Sequence, residues 1–245
     1  MTFADPDLAA SDIAWNLSGL LSERGAAGSA ALAVTRLAVP ISTTALAESG
    51  LFAASAFMMG WLGHLELAAH GIVLQLAALS FMVHMGLSQA GTVRAGKAFA
   101  RQDWPAVRRT AWVTMGLSSV AAIVAIFFFL TSPQLLIRAF LDPQDPLTAD
   151  ILRIGTLLLM LAALFQFVDA AQVVALSLLR GLQDTKVPMW IAAISYWLIG
   201  LPISYVLGFW FGFQEAGIWM GLVVGLGLAA VLLWLRFHRL AGRSL

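Results

Sequence analysis

Cysteine is missing from all 245 residues. Its absence removes disulfide frameworks, thiolate metal sites and cysteine nucleophiles, and leaves the compartment open. Charge is scarce as well. Only 11% of the residues are Asp, Glu, Lys or Arg, where soluble domains carry roughly 25%. A net charge of +1 gives no basic surface of the kind that binds nucleic acid. The four histidines form no pair with zinc-site spacing, and no nucleotide-binding glycine loop, Ser-His pair or HExxH run occurs. What remains in excess is apolar: 60% of the chain is hydrophobic and mean hydropathy is +0.88. The chain reads as an integral, multi-pass membrane protein and not as an enzyme.

The first 34 residues differ from the rest. They hold Asp5, Asp7, Asp12, Glu23 and Arg24. A secretory signal begins basic and runs into an apolar core; this segment begins acidic and lacks that core. It reads as a cytoplasmic lead-in over 1–34, poorly ordered or with a short interfacial helix from Ile13 to Leu21. The remainder, 35–245, reads as a bundle of six spans: Leu37–Leu62, Leu67–Gly91, Thr110–Leu130, Ile151–Leu179, Met189–Trp210 and Gly217–Trp234. Each reaches or approaches the ~20 residues needed to cross the hydrocarbon. Pro40 and Pro188 are expected in early helical turns, where a missing N–H costs little. Pro143 and Pro146 mark the loop between the third and fourth spans, and Arg138 and Phe140 sit in a short interfacial extension.

Basic residues orient the bundle. Arg94, Lys97, Arg101, Arg108 and Arg109 crowd the loop after the second span. Arg180 and Lys186 follow the fourth, Arg236, Arg239 and Arg243 follow the sixth, and Arg36 precedes the first. The opposite loops carry Glu66, Asp142, Asp145, Asp150 and Glu215, with Arg138 and Arg153 as exceptions. The positive-inside rule then places both termini in the cytoplasm.

Two carboxylates lie deep in apolar helices: Glu48 in the first span and Asp169 in the fourth. Hydrocarbon does not solvate a carboxylate, and one at a helix centre costs about 3 kcal/mol even on insertion scales. Glu48 lies 12 residues past Arg36, and Asp169 lies 11 residues before Arg180. At 1.5 Å per residue these are roughly 18 and 16 Å of helix. The two groups reach similar depth from opposite chain directions and are expected to share one polar pocket. An ion or proton site is the natural reading, with Glu48 and Asp169 ligating a metal if the ion is Na⁺. The simpler alternative is that each acid only hydrogen-bonds a neighbouring helix, a task that Ser, Thr, Asn or Gln performs more cheaply.

Other polar residues carry weaker signals. Gln166 and Gln172 flank Asp169 at i−3 and i+3 on nearly the same face, where they would orient the carboxylate, ligate an ion or only join helices. Gln75 on the second span reads alike. Tyr196 is either a donor to a carboxylate or an interfacial anchor. His84 reads as a packing histidine with a titratable alternative. Gly217, Gly221 and Gly225 form a GxxxGxxxG stripe that permits close helix contact. Gly200 and Pro202 mark a bend in the fifth span.

Several stretches resemble a known family. The runs LAAHGIVLQLAALSFMVHMGLSQAGTVRAGKAFA, FQFVDAAQVVALSLLRGLQDTKVPM, YWLIGLPISYVLG and GIWMGLVVGLGLAAVLLWLR occur in order. They are similar to the C-terminal half of multidrug and toxic compound extrusion (MATE) transporters of the NorM type. The resemblance covers Thr35 to Arg239. It implies an all-α membrane protein: a six-helix bundle corresponding to one half of a MATE-type transporter. In that family a Glu before a Phe-containing run matches Glu48 in AESGLF. An Asp ahead of the RG-x-x-DT motif matches Asp169 before Arg180, Gly181, Asp184 and Thr185. Both are implicated in coupling-cation binding. Gly71 stands where the family has Gln, His84 where it has Pro, and Phe165 where some members have Tyr. These departures bear on which ion is bound.

The resemblance implies a cation-coupled antiporter, Na⁺ or H⁺, that exports drugs and other organic compounds across the bacterial inner membrane without a cofactor. Large apolar substrates would meet a pocket of Phe, Met and Trp. Complete members have two homologous six-helix halves, so the expected partners are organic small molecules, membrane lipid and a second six-helix bundle, either another copy or an N-terminal half. Three other readings stay open: a non-transporting fragment or structural subunit, a lipid or polysaccharide flippase, and an intramembrane hydrolase. The last needs its two acids within a few ångströms and a motif such as GxGD, which the chain lacks.

Overall fold

The computed structural model describes residues 6–144 and 146–242, with side chains from Val34 onward. Asp5, Asp145 and Arg243 from the charge pattern lie outside the described residues. All regular structure among the described residues is helical. The helices are α1 (Pro6–Leu62), α2 (His64–Ala100), α3 (Trp104–Thr131), α4 (Pro133–Arg138) and α5 (Thr148–Gly181). Then come α6 (Lys186–Ala193), π1 (Ile194–Gly200), α7 (Leu201–Tyr205), π2 (Val206–Trp210) and α8 (Gln214–Gly242). Elements α6 to π2 form one continuous rod, Lys186–Trp210. Among the described residues, six segments are long and apolar enough to cross a membrane, as the sequence predicts. Residues 1–42 and 43–245 form two compact units, and the packed bundle with its cavities belongs to the second.

The helices overrun the predicted spans. Arg94 and Lys97 lie on α2, and Arg108 and Arg109 on α3, so the expected basic loop is only Arg101–Asp103. Asp103 closes this corner by accepting the Ala106 N–H at 3.0 Å, which satisfies an orphan donor of the first turn. Arg180 likewise sits in the last turn of α5. A helix that leaves hydrocarbon has no reason to end at its edge, because its backbone bonds are internal. Pro40 lies inside α1 and not in an early turn, and the 13–21 stretch falls within α1. Pro188 does sit in the first turn of α6. Arg138 ends the short helix α4.

The centre of the bundle is α5, which packs on α2, α3 and α8. Leu158, Leu159, Val174, Leu178 and Leu179 have no exposed surface, while Leu157, Met160, Leu164 and Phe167 leave a stripe open on the other side. In lipid, water exclusion does not drive helices together; packing and interhelical hydrogen bonds do. Both are visible. The Thr92 hydroxyl on α2 donates to Ser177 O on α5 at 2.9 Å. The Trp234 indole on α8 donates to Ala171 O on α5 at 3.0 Å.

The glycine stripe of α8 lies against the fifth span. A methyl on Gly225 would stand 2.9 Å from the Gly200 Cα, and one on Gly221 would collide with Ser204. The Ser204 hydroxyl donates across this contact to Ile218 O at 3.0 Å. At Gly200–Pro202, where the sequence predicts a bend, the rod changes register instead, with two widened π segments around the one-turn α7. Proline has no N–H to give to the ladder, and π registers absorb the mismatch.

Candidate functional site

α1, α2 and α5 enclose a cavity of about 450 Å³. Ala45, Glu48, Ser49 and Phe52 come from α1, Phe165 and Asp169 from α5, and Leu74, Gln75, Ala78, Phe81 and Met85 are among the α2 residues. On α5, Phe165 and Asp169 are one turn apart and so share a face. The two acids chosen for their cost in hydrocarbon therefore meet at one cavity. Asp169 is 2% exposed and Glu48 is half-buried. One Glu48 oxygen, Oε1, is buried without a hydrogen-bond donor. Each unsatisfied polar group in a low-dielectric site costs free energy until a proton, cation or donor meets it.

The walls are apolar and aromatic. Phe52 and Phe165 meet edge-on at 5.9 Å between centroids. Phe81 and Met85 extend the lining, but no tryptophan belongs to it. Trp219 stands behind the wall, edge-on to Phe165 at 5.7 Å. The expected Phe, Met and Trp lining is thus Phe and Met, with Trp in support.

The weaker candidates divide. Gln75 faces the cavity. Gln166 and Gln172 are fully buried and outside its lining. The Gln166 amide reaches Ala77 O on α2 at 3.5 Å, a weak bond, and the Gln172 amide donates to the Tyr196 hydroxyl at 2.7 Å. Both glutamines keep a buried oxygen without a donor. Tyr196 is fully buried on π1, so the interfacial-anchor reading does not hold. Tyr196 lies within electrostatic reach of Glu48, Asp169 and Arg180. His84 is fully buried, with Nδ1 2.8 Å from the Ser118 hydroxyl but Nε2 buried without a hydrogen-bond partner, so the ring is satisfied on one side only.

One constellation was not foreseen. The Trp219 indole N–H on α8 donates to His70 Nδ1 on α2 at 3.1 Å. Indole nitrogen only donates, so Nδ1 is an acceptor and the ring proton of a neutral His70 sits on Nε2. That proton points to the Ser55 hydroxyl of α1 at 3.3 Å, and Ser55 donates to Phe52 O at 2.7 Å. The chain of bonds ends on a residue of the cavity wall. A buried histidine in an apolar helix was the available signal, but its partner is 149 positions away.

This arrangement of two acids at one aromatic cavity in a six-span bundle can be set beside known proteins. The MatE family model matches residues 40–206. The chain belongs to the MatE family. It is 44% identical over 212 residues to the probable multidrug resistance protein NorM of Agrobacterium fabrum, a match over 86% of this chain and 46% of that protein. It is 45% identical over 210 residues to the protein of the same name in Mesorhizobium japonicum, covering 84% and 45%. Among solved structures, the eukaryotic MATE transporter AtDTX14 superposes with a TM-score of 0.74 at 18% identity, over 85% of this chain and 47% of that one. This last likeness concerns the fold. The chain spans about half the length of the relatives it matches.

Proposed function

We propose that this MatE-family chain is one half of a cation-coupled antiporter that exports drug-like organic compounds across the bacterial inner membrane. The observation that carries this reading is the meeting of Glu48 and Asp169 at one cavity walled by Phe52, Phe81 and Phe165. A hard cation such as Na⁺ takes oxygen ligands, and the cavity offers two carboxylates and the Gln75 amide. A proton would satisfy the same acids. The relatives are named as multidrug resistance proteins, and an apolar cavity suits organic compounds, which bind chiefly to hydrophobic and aromatic walls.

In this mechanism, ion occupancy of the acids biases the bundle between inward-open and outward-open states. A ligand shifts such an equilibrium only by its difference in affinity for the two states. Gln75 adds a neutral oxygen at the site, while Gln166 ties α5 to α2 and Gln172 with Tyr196 ties α5 to π1. The basic residues at the ends of α2, α3 and α8 support an orientation with both termini in the cytoplasm. A second six-helix bundle, an N-terminal half or another copy, supplies the facing wall of the pathway.

The test is flux in proteoliposomes holding the complete assembly, driven by a Na⁺ or a pH gradient. Glu48→Gln and Asp169→Asn are each expected to abolish coupled efflux. Membrane insertion is expected to survive, because amides are cheaper in hydrocarbon than carboxylates. If the acids share one ion, the double variant loses no more than either single one. Wild-type coupling in both variants would reduce the acids to structural groups.

A further inference from the structure

A second crevice, of about 290 Å³, opens between α2 and α3. Its floor and sides are Leu87, Ala90, Gly91, Val113, Thr114 and Leu117, and Arg94 and Arg109 stand at its rim. By the 3.6-residue repeat, Leu87, Ala90, Gly91 and Arg94 lie on the face of α2 roughly opposite Leu74, Ala78, Phe81 and Met85. The crevice is therefore separate from the carboxylate cavity. Gly91 lets the helices close at its base, where a methyl would come within 2.8 Å of the Thr114 hydroxyl.

Charge and depth name the occupant. Arg94 and Arg109 are both exposed. The neighbouring carboxylates are engaged elsewhere: Asp103 caps α3, and Asp184 holds Arg236 at 2.8 Å. Neither rim arginine has an ion pair among the described residues. Lys97 adds positive charge beside them. Below the rim the faces are apolar and open, with Val113 and Leu117 more than half exposed. A pair of guanidiniums over an apolar slot, at the end of two membrane-crossing helices, matches a phosphate with an acyl chain beneath it. The same end is the cytoplasmic one by the basic-residue rule, where the leaflet carries anionic lipid.

We propose that the α2–α3 crevice binds one anionic phospholipid, with Arg94 and Arg109 clamping its phosphate and one acyl chain lying along Ala90, Val113 and Leu117. The lipid would tie the mouth of α2 to α3 on the side away from the coupling acids. The proposal stands on the membrane-spanning fold and is independent of what the protein transports.

Native mass spectrometry of the purified full chain in detergent reads it directly, with dioleoyl-phosphatidylglycerol, dioleoyl-phosphatidylcholine and glycerol phosphate titrated in turn. The expected result is a single tight phosphatidylglycerol adduct that phosphatidylcholine does not match. Arg94→Gln with Arg109→Gln should weaken it roughly 30-fold, the effect of two interfacial charges. Ala90→Phe, which fills the slot and leaves both arginines, should weaken it as well. Arg101→Gln, outside the crevice, should leave it unchanged; the single arginine variants and Ala90→Phe give the reading if the double variant is not recovered. Three outcomes would overturn the proposal: equal binding of the two lipids, an equal loss in Arg101→Gln, or competition by glycerol phosphate at lipid-like concentrations. The first means no headgroup selection, the second diffuse charge, and the third a free-anion site.

Discussion

At the scale of the residue, the cost of a polar group in hydrocarbon decides most of what can be read. Glu48 and Asp169 stood out because each has to be compensated, and they line the same cavity. The same logic applies to His70, which is 1% exposed and satisfied at both ring nitrogens. Its Nδ1 depends on one donor, so Trp219→Phe keeps an aromatic ring against Phe165 and removes only the proton that Nδ1 accepts. Interhelical bonds of this kind in membranes are worth about 0.6 kcal/mol on average and up to about 1.7. Loss of stability by about 1 kcal/mol is expected, measured as the unfolding midpoint in mixed detergent micelles. Because the bond chain ends on Phe52, substrate affinity in the complete assembly should fall with it. Unchanged stability would show that the His70 bond has no net value. His70 was invisible to sequence reasoning for a physical reason: a histidine declares a need for partners, but not where in the chain they lie.

Elements were legible to the extent that hydrocarbon dictates them. The six spans follow from apolar length alone, since any segment of about 20 such residues has to be helical in lipid. Their ends were not legible, because Arg94, Lys97, Arg108 and Arg109 extend α2 and α3 beyond the apolar stretch without breaking them. The π registers around Pro202 were not legible either; glycine and proline announce a bend, not the hydrogen-bond pattern that accommodates it. The glycine stripe was legible as close packing, and its partners Gly200, Ser204 and Leu207 came from the fold. Gly221→Ala drives a methyl into Ser204 and its backbone, so α8 has to move off α7. Gly116→Ala, on α3, meets nothing within 4 Å and gains helix propensity. Thermal melting followed by size-exclusion should show Gly221→Ala strongly destabilised, by a few kcal/mol as for other overpacked contacts, and Gly116→Ala unchanged or slightly improved. Equal melting of the two would mean that the α7–α8 seam yields at no cost.

For the whole molecule, the decisive fact is that 84–86% of this chain matches only 45–46% of its NorM relatives. The cavity that Glu48 and Asp169 line is built from α1, α2 and α5 alone, and in the proposed antiporter it is one side of a pathway whose other wall a second bundle supplies. Many large apolar side chains of the bundle are open, among them Phe57, Trp61, Phe127, Trp197 and Trp210. Lipid covers such surface without penalty, so exposure alone does not locate the second bundle. The proposed function supplies a test: alternating access in transporters built of repeats comes from one bundle rocking against another around a shared site. If the proposal holds, flux is expected only from assemblies with two six-helix bundles in the same orientation, the single orientation that the basic residues favour for this chain. Native mass spectrometry on the same proteoliposome preparations used for flux should show activity rising with the two-bundle species, whether the partner is an N-terminal half or a second copy. A single bundle that remained monomeric and still moved substrate would overturn the half-transporter reading. It would also require the cavity between α1, α2 and α5 to open to both sides of the membrane within one unit.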